Sequence, residues 1–206
     1  EIHERLVGSE MCIRDRALAM GCRVTIIELK KDRRDWLAKQ FTGEALTLLP
    51  STPENLAAAI KTADVFISTI LIPGAKPPKL VTTAMVQSMK PGSVLVDVAI
   101  DQGGTVETID APTSIDDPVF TKYGVIHYAV PNQPGAVPRT ATMALAVGNI
   151  KYLLAIAKSG IDGAIKNDPA LASGVNLYHG QITNKGLAES LNLPVVSLET
   201  ALKTQH

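Results

Sequence analysis

The sequence predicts an α/β fold built on a doubly wound parallel sheet, followed by a long helix and part of a second domain. Three observations carry that prediction. Apolar, β-branched runs recur at 23–29, 45–49, 64–70, 93–101 and 124–130. Helix-forming segments of about ten residues alternate with them, the rhythm of βαβ units with right-handed crossovers. Two of the runs end on an acid, Glu28 and Asp101, and sheets of this kind bind ligands beyond the carboxyl ends of their strands.

Arg23-Val24-Thr25-Ile26-Ile27-Glu28-Leu29 is apolar up to its acid, and charged helix formers follow from Lys30 to Gln40, which predicts strand then helix. A second strand over Ala45–Leu49 precedes Ser51-Thr52-Pro53-Glu54. There Thr52 suits a helix cap and Pro53 the first helical position, with the helix running to Thr62. A strand over Asp64–Ile70 leads into the Pro/Gly loop Leu71–Leu80 and a helix over Thr82–Met89.

Pro91-Gly92-Ser93-Val94-Leu95-Val96-Asp97-Val98-Ala99-Ile100-Asp101-Gln102-Gly103-Gly104 is the most informative stretch. It predicts a buried parallel strand delivering Asp101 into a cleft. One further strand is expected at Gly124–Val130. Pro138–Ala157 breaks the rhythm: Pro138 suits a first turn, and Ala141, Leu145, Val147, Leu153 and Leu154 predict a long, well-buried helix that leaves the sheet domain. Beyond Gly160 short helices are expected, with a break at Asp168-Pro169, a strand near Leu177-Tyr178 and a helix over Lys185–Leu191.

The 206 residues suffice for a sizeable core, and 46% hydrophobic with 4% aromatic residues suits a globular α/β protein. Twenty basic and twenty acidic side chains leave no net field to draw nucleic acid or an anionic membrane, so a small-molecule ligand is expected. The seven Phe and Tyr and the single Trp36 are scattered rather than arrayed along a basic strip, and Trp36 reads as helix packing. No apolar stretch approaches the roughly 18 uncharged residues of a membrane helix, and a cytoplasmic location is expected. Cys12 and Cys22 lack disulfide or zinc spacing and read as reduced thiols; no metal site is expected.

Glu28 closes the strand at which a dinucleotide-binding fold places an acid to accept bonds from the adenosine ribose hydroxyls. The bland alternative is a surface acid closing a strand. Asp101 has the chemistry to hold a ribose hydroxyl or a substrate ammonium and to organise proton transfer, or only to cap the amides of Gly103 and Gly104. His127 lies inside an apolar strand, where a satisfied core histidine is the better reading. His179 reads as a turn residue.

Leu71-Ile72-Pro73-Gly74-Ala75-Lys76, Lys90-Pro91-Gly92-Ser93, the Val96–Gly104 run, Asn132-Gln133-Pro134-Gly135-Ala136-Val137-Pro138-Arg139-Thr140 and Tyr178-His179-Gly180-Gln181-Ile182-Thr183-Asn184 resemble alanine dehydrogenase. The resemblance spans roughly residues 17–202. It implies a Rossmann-like nucleotide domain, NAD as cofactor, and reversible oxidative deamination of L-alanine to pyruvate and ammonium in a homo-oligomer, a hexamer in the family. It also implies cofactor contacts at Glu28, Arg33, Ser51, Ile70, Leu71, Val98, Ala99, Ile100, Asp101, Val130 and Asn132, with Asp101 as the active-site aspartate. Ser51, Ile70 and Leu71 read equally as a cap neighbour and two core aliphatics.

The resemblance breaks upstream. A position about twenty residues before Glu28 falls in Arg5-Leu6-Val7-Gly8-Ser9-Glu10, where no glycine-rich phosphate turn can be written. The first strand and that turn are expected to be missing. Residues 1–16 resemble neither the family nor a processed leader and are expected to be foreign to it, with 17–137 a partial NAD domain and 138–206 the connecting helix and the end of the substrate domain. The family's substrate-binding arginine and lysine and its catalytic histidine have no counterpart, so the chain alone is expected to be inactive. Two other readings stay open: a non-catalytic nucleotide-binding module, and the NAD-binding part of a proton-translocating transhydrogenase.

Overall fold

The computed structural model describes residues 2–5, 11–41, 43, 45–70, 72 and 75–203, with the backbone alone for Ile2–Arg5, Met11 and Cys12. Two compact units divide the chain, Glu1–Leu71 with Lys76–Asn132, and Ile72–Ala75 with Gln133–His206.

The first unit comprises β1 (Ile2–Arg5), α1 (Met11–Ala19), β2 (Val24–Glu28), α2 (Lys31–Gln40), β3 (Leu46–Pro50), α3 (Pro53–Thr62), β4 (Val65–Ser68), α4 (Thr83–Gln87), β5 (Val94–Asp97), β6 (Val119–Lys122) and β7 (Val125–Tyr128). Its sheet has the order β3-β2-β1-β4-β5-β7-β6. Among the described residues, the pairings within this sheet are parallel except β6 with β7. The strand order reverses between β1 and β4, and a doubly wound sheet opens its binding crevice at such a reversal.

Local chemistry accounts for these elements. In β2, Val24 and Ile26 pack with Ala17 and Leu37 on one face of the sheet. Ile27, one residue out of phase, packs with Leu56, Ile60, Phe66 and Leu95 on the other, as a strand buried on both faces requires. Thr52 caps α3 by accepting from the Asn55 amide at 3.2 Å, and Thr82 caps α4 by accepting from Met85 at 3.3 Å.

Two expectations change. The first strand is present: Ile2–Arg5 pairs in parallel with both β2 and β4. Its residues, Ile-His-Glu-Arg, lack the apolar run of a central parallel strand, which hides it from sequence patterning. The glycine-rich turn would fall on residues 6–10, outside the described residues. The run 93–101 is also not one strand. It ends at Asp97, and Val98–Gln102 forms a 3-10 turn.

Strand β6 has no counterpart in the sequence reading. It pairs with β7 through the two-residue turn Tyr123-Gly124, with φ of 56° and 77°, the doubly left-handed turn that suits a hairpin's twist.

His127 is the satisfied core histidine expected. It is fully buried and stacks on Phe120 with centroids 4.8 Å apart. Nδ1 lies 2.9 Å from the Val125 carbonyl, which only accepts, so Nδ1 carries the proton. Nε2, 2.8 Å from Thr108 Oγ1, therefore accepts from the hydroxyl. Burial holds the imidazole pKa below its ordinary value, opposed by the bond to Val125.

The second unit contains α5 (Pro138–Asn167), α6 (Pro169–Ser173), β8 (Leu177–Tyr178), β9 (Gln181–Ile182), α7 (Lys185–Leu191) and α8 (Leu198–Lys203). The long helix is there, but it is not well buried: Leu145, Val147, Leu153 and Leu154 are 60–79% exposed. Apolar periodicity records a surface to be covered, and nothing among the described residues of its own unit covers this one. By length and composition alone α5 is also long and apolar enough to cross a membrane, with a mean hydropathy of 1.4 in its most apolar 18 residues. A count of uncharged residues misses this because Lys151 interrupts the run. At Gly160 the helix kinks, with φ 69° and ψ 173°.

Asp168 caps α6 by accepting from Ala170 and Leu171. Tyr178 is buried with Ile165 and Ala201 in a small core, and its hydroxyl donates to Asp162 at 2.6 Å, a bond that raises the phenol pKa. His179 is an exposed turn residue, as expected, with φ 46° and its ring edge-on to Tyr178.

The buried His127, bonded to Thr108, predicts a pH response. An unfolded histidine takes up a proton near pH 6.5, the buried one only at lower pH, so between these values the unfolded chain binds more protons. Stability present above about pH 6.5 is then lost as pH falls through the folded pKa. The urea midpoint should drop between pH 7.5 and pH 5, and His127→Gln should flatten that drop. Thr108→Val leaves Nε2 without a donor and should cost about 1–3 kcal/mol at pH 7.5 in the same assay.

Candidate functional site

Three strand ends of the first unit converge on one hollow. The carboxyl ends of β2, β3 and β4 bring Ile27, Ser51, Phe66, Ser68 and Ile70 around a narrow, partly enclosed crevice. Ser51 is held there because its amide donates to the Glu28 carbonyl at 3.1 Å. Thr69, 2% exposed, follows β4 and keeps a buried hydroxyl without a hydrogen-bond partner among the described residues. A buried hydroxyl of that kind is the sort of group a ligand satisfies.

Glu28 is not the surface acid of the bland reading. It is 5% exposed, and its Oε1 accepts from the Lys30 amide at 2.9 Å, leaving acceptor capacity on the carboxylate. Arg34 rather than Arg33 ties down this corner, donating to the carbonyls of Glu28 and Leu29 at 2.6 and 3.0 Å. Arg33 instead places its guanidinium 4.3 Å from the Trp36 ring centroid, so Trp36, 39% exposed, serves as a platform for a cation. Leu71 lies outside the described residues.

A second cluster forms around the turn after β5. Val98 is half-buried, Ala99 and Ile100 are buried, and Asp101 is exposed. Asp101 Oδ1 accepts from the Asn132 amide at 2.9 Å, and Asn132 adopts a left-handed φ of 49°. Val130, 1% exposed, anchors that loop in the core. The amides of Gly103 and Gly104 donate to the carbonyls of Ile100 and Ala99, so Asp101 is not a mere cap for them.

Sequence reading passed over the acid that ends the strand. Asp97 is fully buried; Oδ1 accepts from Ala99 N at 3.1 Å and Oδ2 from Thr105 N at 2.7 Å. Thr105 Oγ1 lies 2.6 Å from Ser68 Oγ, which links the turn to the end of β4. Burial pushes the Asp97 carboxyl above the usual carboxylate range, opposed by the Thr105 and Ala99 donors and by the Lys79 charge. Lys79 donates to the carbonyls of Gly103 and Val106, each at 3.0 Å. The signal was available: an acid inside an apolar run must either find donors or break the strand.

These features define a Rossmann-type doubly wound domain whose two side-chain clusters lie at the carboxyl ends of its strands, where such sheets bind ligands. The family described as "Alanine dehydrogenase/PNT, C-terminal domain" matches residues 11–185. The chain belongs to that family. It is 63% identical over 177 residues to Alanine dehydrogenase 1 of Staphylococcus aureus (strain N315), covering 86% of this chain and 47% of that protein. Among solved structures, an L-alanine dehydrogenase superposes with a TM-score of 0.79 at 36% identity, over 93% of this chain and 52% of that one. A transhydrogenase from Sinorhizobium meliloti superposes with a TM-score of 0.65 at 25% identity, over 79% of this chain and 45% of that one. The chain spans about half the length of the curated relatives it matches.

The turn yields a stability prediction. A Cβ on Gly104 would sit 2.8 Å from Asp97 Oδ2 at φ +69°, whereas one on Gly92 at φ +82° meets open space. Gly92→Ala should cost only the left-handed strain, about 1–2 kcal/mol, and Gly104→Ala clearly more; thermal unfolding of the two variants ranks them.

Proposed function

We propose that this chain is the nucleotide-binding part of an NAD-dependent alanine dehydrogenase, an oxidoreductase that converts L-alanine reversibly to pyruvate and ammonium. The observation that carries the reading is the pair of clusters along one sheet edge, a crevice beside the buried acid Glu28 and the exposed acid Asp101 tied to Asn132. The 63% identity to a protein named alanine dehydrogenase supports it.

The residues suit a dinucleotide on two counts, the apolar lining of the crevice, which would meet an adenine face, and the Thr69 hydroxyl beside it, which has no partner among the described residues. Ile27, Ser51 and Ile70 would hold the adenine and its ribose, with Arg33 on the adenosine side. Glu28 would accept from the ribose hydroxyls and repel a 2′-phosphate, selecting NAD over NADP. Val98, Ala99, Ile100 and Val130 would shape the nicotinamide side, where the Asn132 amide group can bond a carboxamide in both directions. The chemistry that NAD supplies when bound is acceptance of a hydride from the alanine α-carbon. Asp101 would order the nicotinamide ribose and the reacting groups, while groups of the remaining, substrate-binding part of the enzyme would handle proton transfer and carbonyl polarisation.

The exposed apolar residues of α5 support assembly into a homo-oligomer, with cytoplasmic location. Arg139, Lys151, Lys158, Asp162 and Lys166 stud the helix and favour a protein cover over lipid, since each charge at membrane depth costs several kcal/mol by any measure. The transhydrogenase reading has weaker support, at 25% identity.

Full-length protein with L-alanine and NAD should reduce the nucleotide, and Asp101→Asn should lower kcat by roughly 10²–10⁴. The 206-residue chain alone should show no turnover. Nucleotide binding without turnover in the full-length protein would point instead to a non-catalytic module. Glu28→Ser should weaken NAD binding by about tenfold to a hundredfold, the loss of charge-assisted hydrogen bonds, and narrow the gap to NADP; calorimetric titration of both nucleotides reads the change.

A further inference from the structure

The structure assigns Asp97 a role as the positioning residue for Asp101, an inference that rests on the dehydrogenase reading above. Asp101 is exposed, and among the described residues its carboxylate receives one hydrogen bond, from the Asn132 amide. Packing therefore does not set its location; the backbone of the Val98–Gln102 turn does. Asp97 clamps that turn at both ends. Oδ1 takes the amide of Ala99 inside it and Oδ2 the amide of Thr105 beyond it, at 3.1 and 2.7 Å.

The clamp is anchored away from the solvent. Thr105 and Ser68 are 0% and 1% exposed, and their hydroxyls, 2.6 Å apart, join the turn to the end of β4. The Thr105 carbonyl also accepts from the amides of Leu80 and Val81 at 2.8 and 3.1 Å. Gly104 fits the same construction, since any Cβ there would displace Asp97 Oδ2 at 2.8 Å. A carboxylate without water must be answered by donors, and here the donors it recruits are the two that fix where Asp101 stands. Asparagine cannot reproduce this arrangement: its amide nitrogen would face one N–H with another.

The test is made on the full-length protein. Asp97→Asn should speed exchange of the Ala99 and Thr105 amides about tenfold or more while leaving those of β4 and β7 unchanged, the loss of one hydrogen bond's worth of protection. It should lower kcat with alanine about tenfold to a hundredfold, the scale of a misplaced reacting group, with a smaller loss of NAD affinity because Glu28 and Ser51, at the ends of β2 and β3, lie outside the clamped turn. Asp101→Asn should lower kcat further with the exchange pattern intact. Should Asp97→Asn fail to fold, Thr105→Val keeps the carboxylate and the amide but removes the hydroxyl that joins Ser68 to the Asp97 carboxylate, 3.4 Å from each of its oxygens. It should lower kcat by roughly threefold to tenfold for a smaller displacement, with Thr105→Ser restoring it. Faster turn exchange with kcat within twofold of wild type overturns the proposal, as does unchanged exchange in a folded variant. Absence of alanine turnover in the wild type overturns the dehydrogenase reading instead, and the exchange data still decide whether Asp97 holds the turn.

Discussion

A carboxylate sealed from water is the constraint on which this sheet edge depends. Asp97 ends β5 with no exposed surface, and the cost of burying it is several kcal/mol unless donors meet it. Two backbone amides do so, from either side of a 3-10 turn. Through Thr105 and Ser68 the same group ties two adjacent parallel strands together at their carboxyl ends. Of the diglycine that marks this place in the sequence, Gly104 is thus the steric complement to the acid, whereas Gly103 leaves room for the Lys76 side chain.

The two other acids that matter at this edge are treated differently. Glu28 is buried with one oxygen engaged by a neighbouring amide, held in place yet able to accept more. Asp101 projects into solvent, and among the described residues a single amide, that of Asn132, donates to it. A doubly bonded internal clamp, a buried acceptor with one oxygen engaged and an exposed carboxylate stand along one set of strand ends, and burial together with the donors each has met distinguishes what each can do chemically.

Much of this was legible in the residues. Apolar runs located β2, β3, β4 and β7, and Thr52-Pro53 and Thr82 located two helix starts, because those signals are local and obey cap and strand chemistry. The alternating rhythm gave the parallel sheet. What escaped was non-local or atypical. Ile2–Arg5 lacks the hydrophobicity of a central strand; β6 exists because β7 offers an edge and Tyr123-Gly124 turns the chain. The strand after Ser93 was read four residues too long because Val98, Ala99 and Ile100 are as apolar in a turn as in a strand. Asp97 was overlooked for Asp101 on the same ground, since nothing local reveals that Thr105 will fold back onto it. The helix α5 was placed correctly and its burial was not, because apolar residues announce a surface without naming what covers it.

The break at Gly160 decides more than the shape of one helix. Its φ of 69° and ψ of 173° belong to a region of backbone space that is essentially closed to residues with a side chain. The helical segment before it and the one after it therefore keep separate headings only while that position stays bare. Ile165, which belongs to the small core with Tyr178 and Ala201, lies on the far segment. A single added methyl at position 160 would favour one straight rod and carry Ile165 out of register with that core, so the amino acid that contributes no side chain sets the direction in which the rest of the second unit is built.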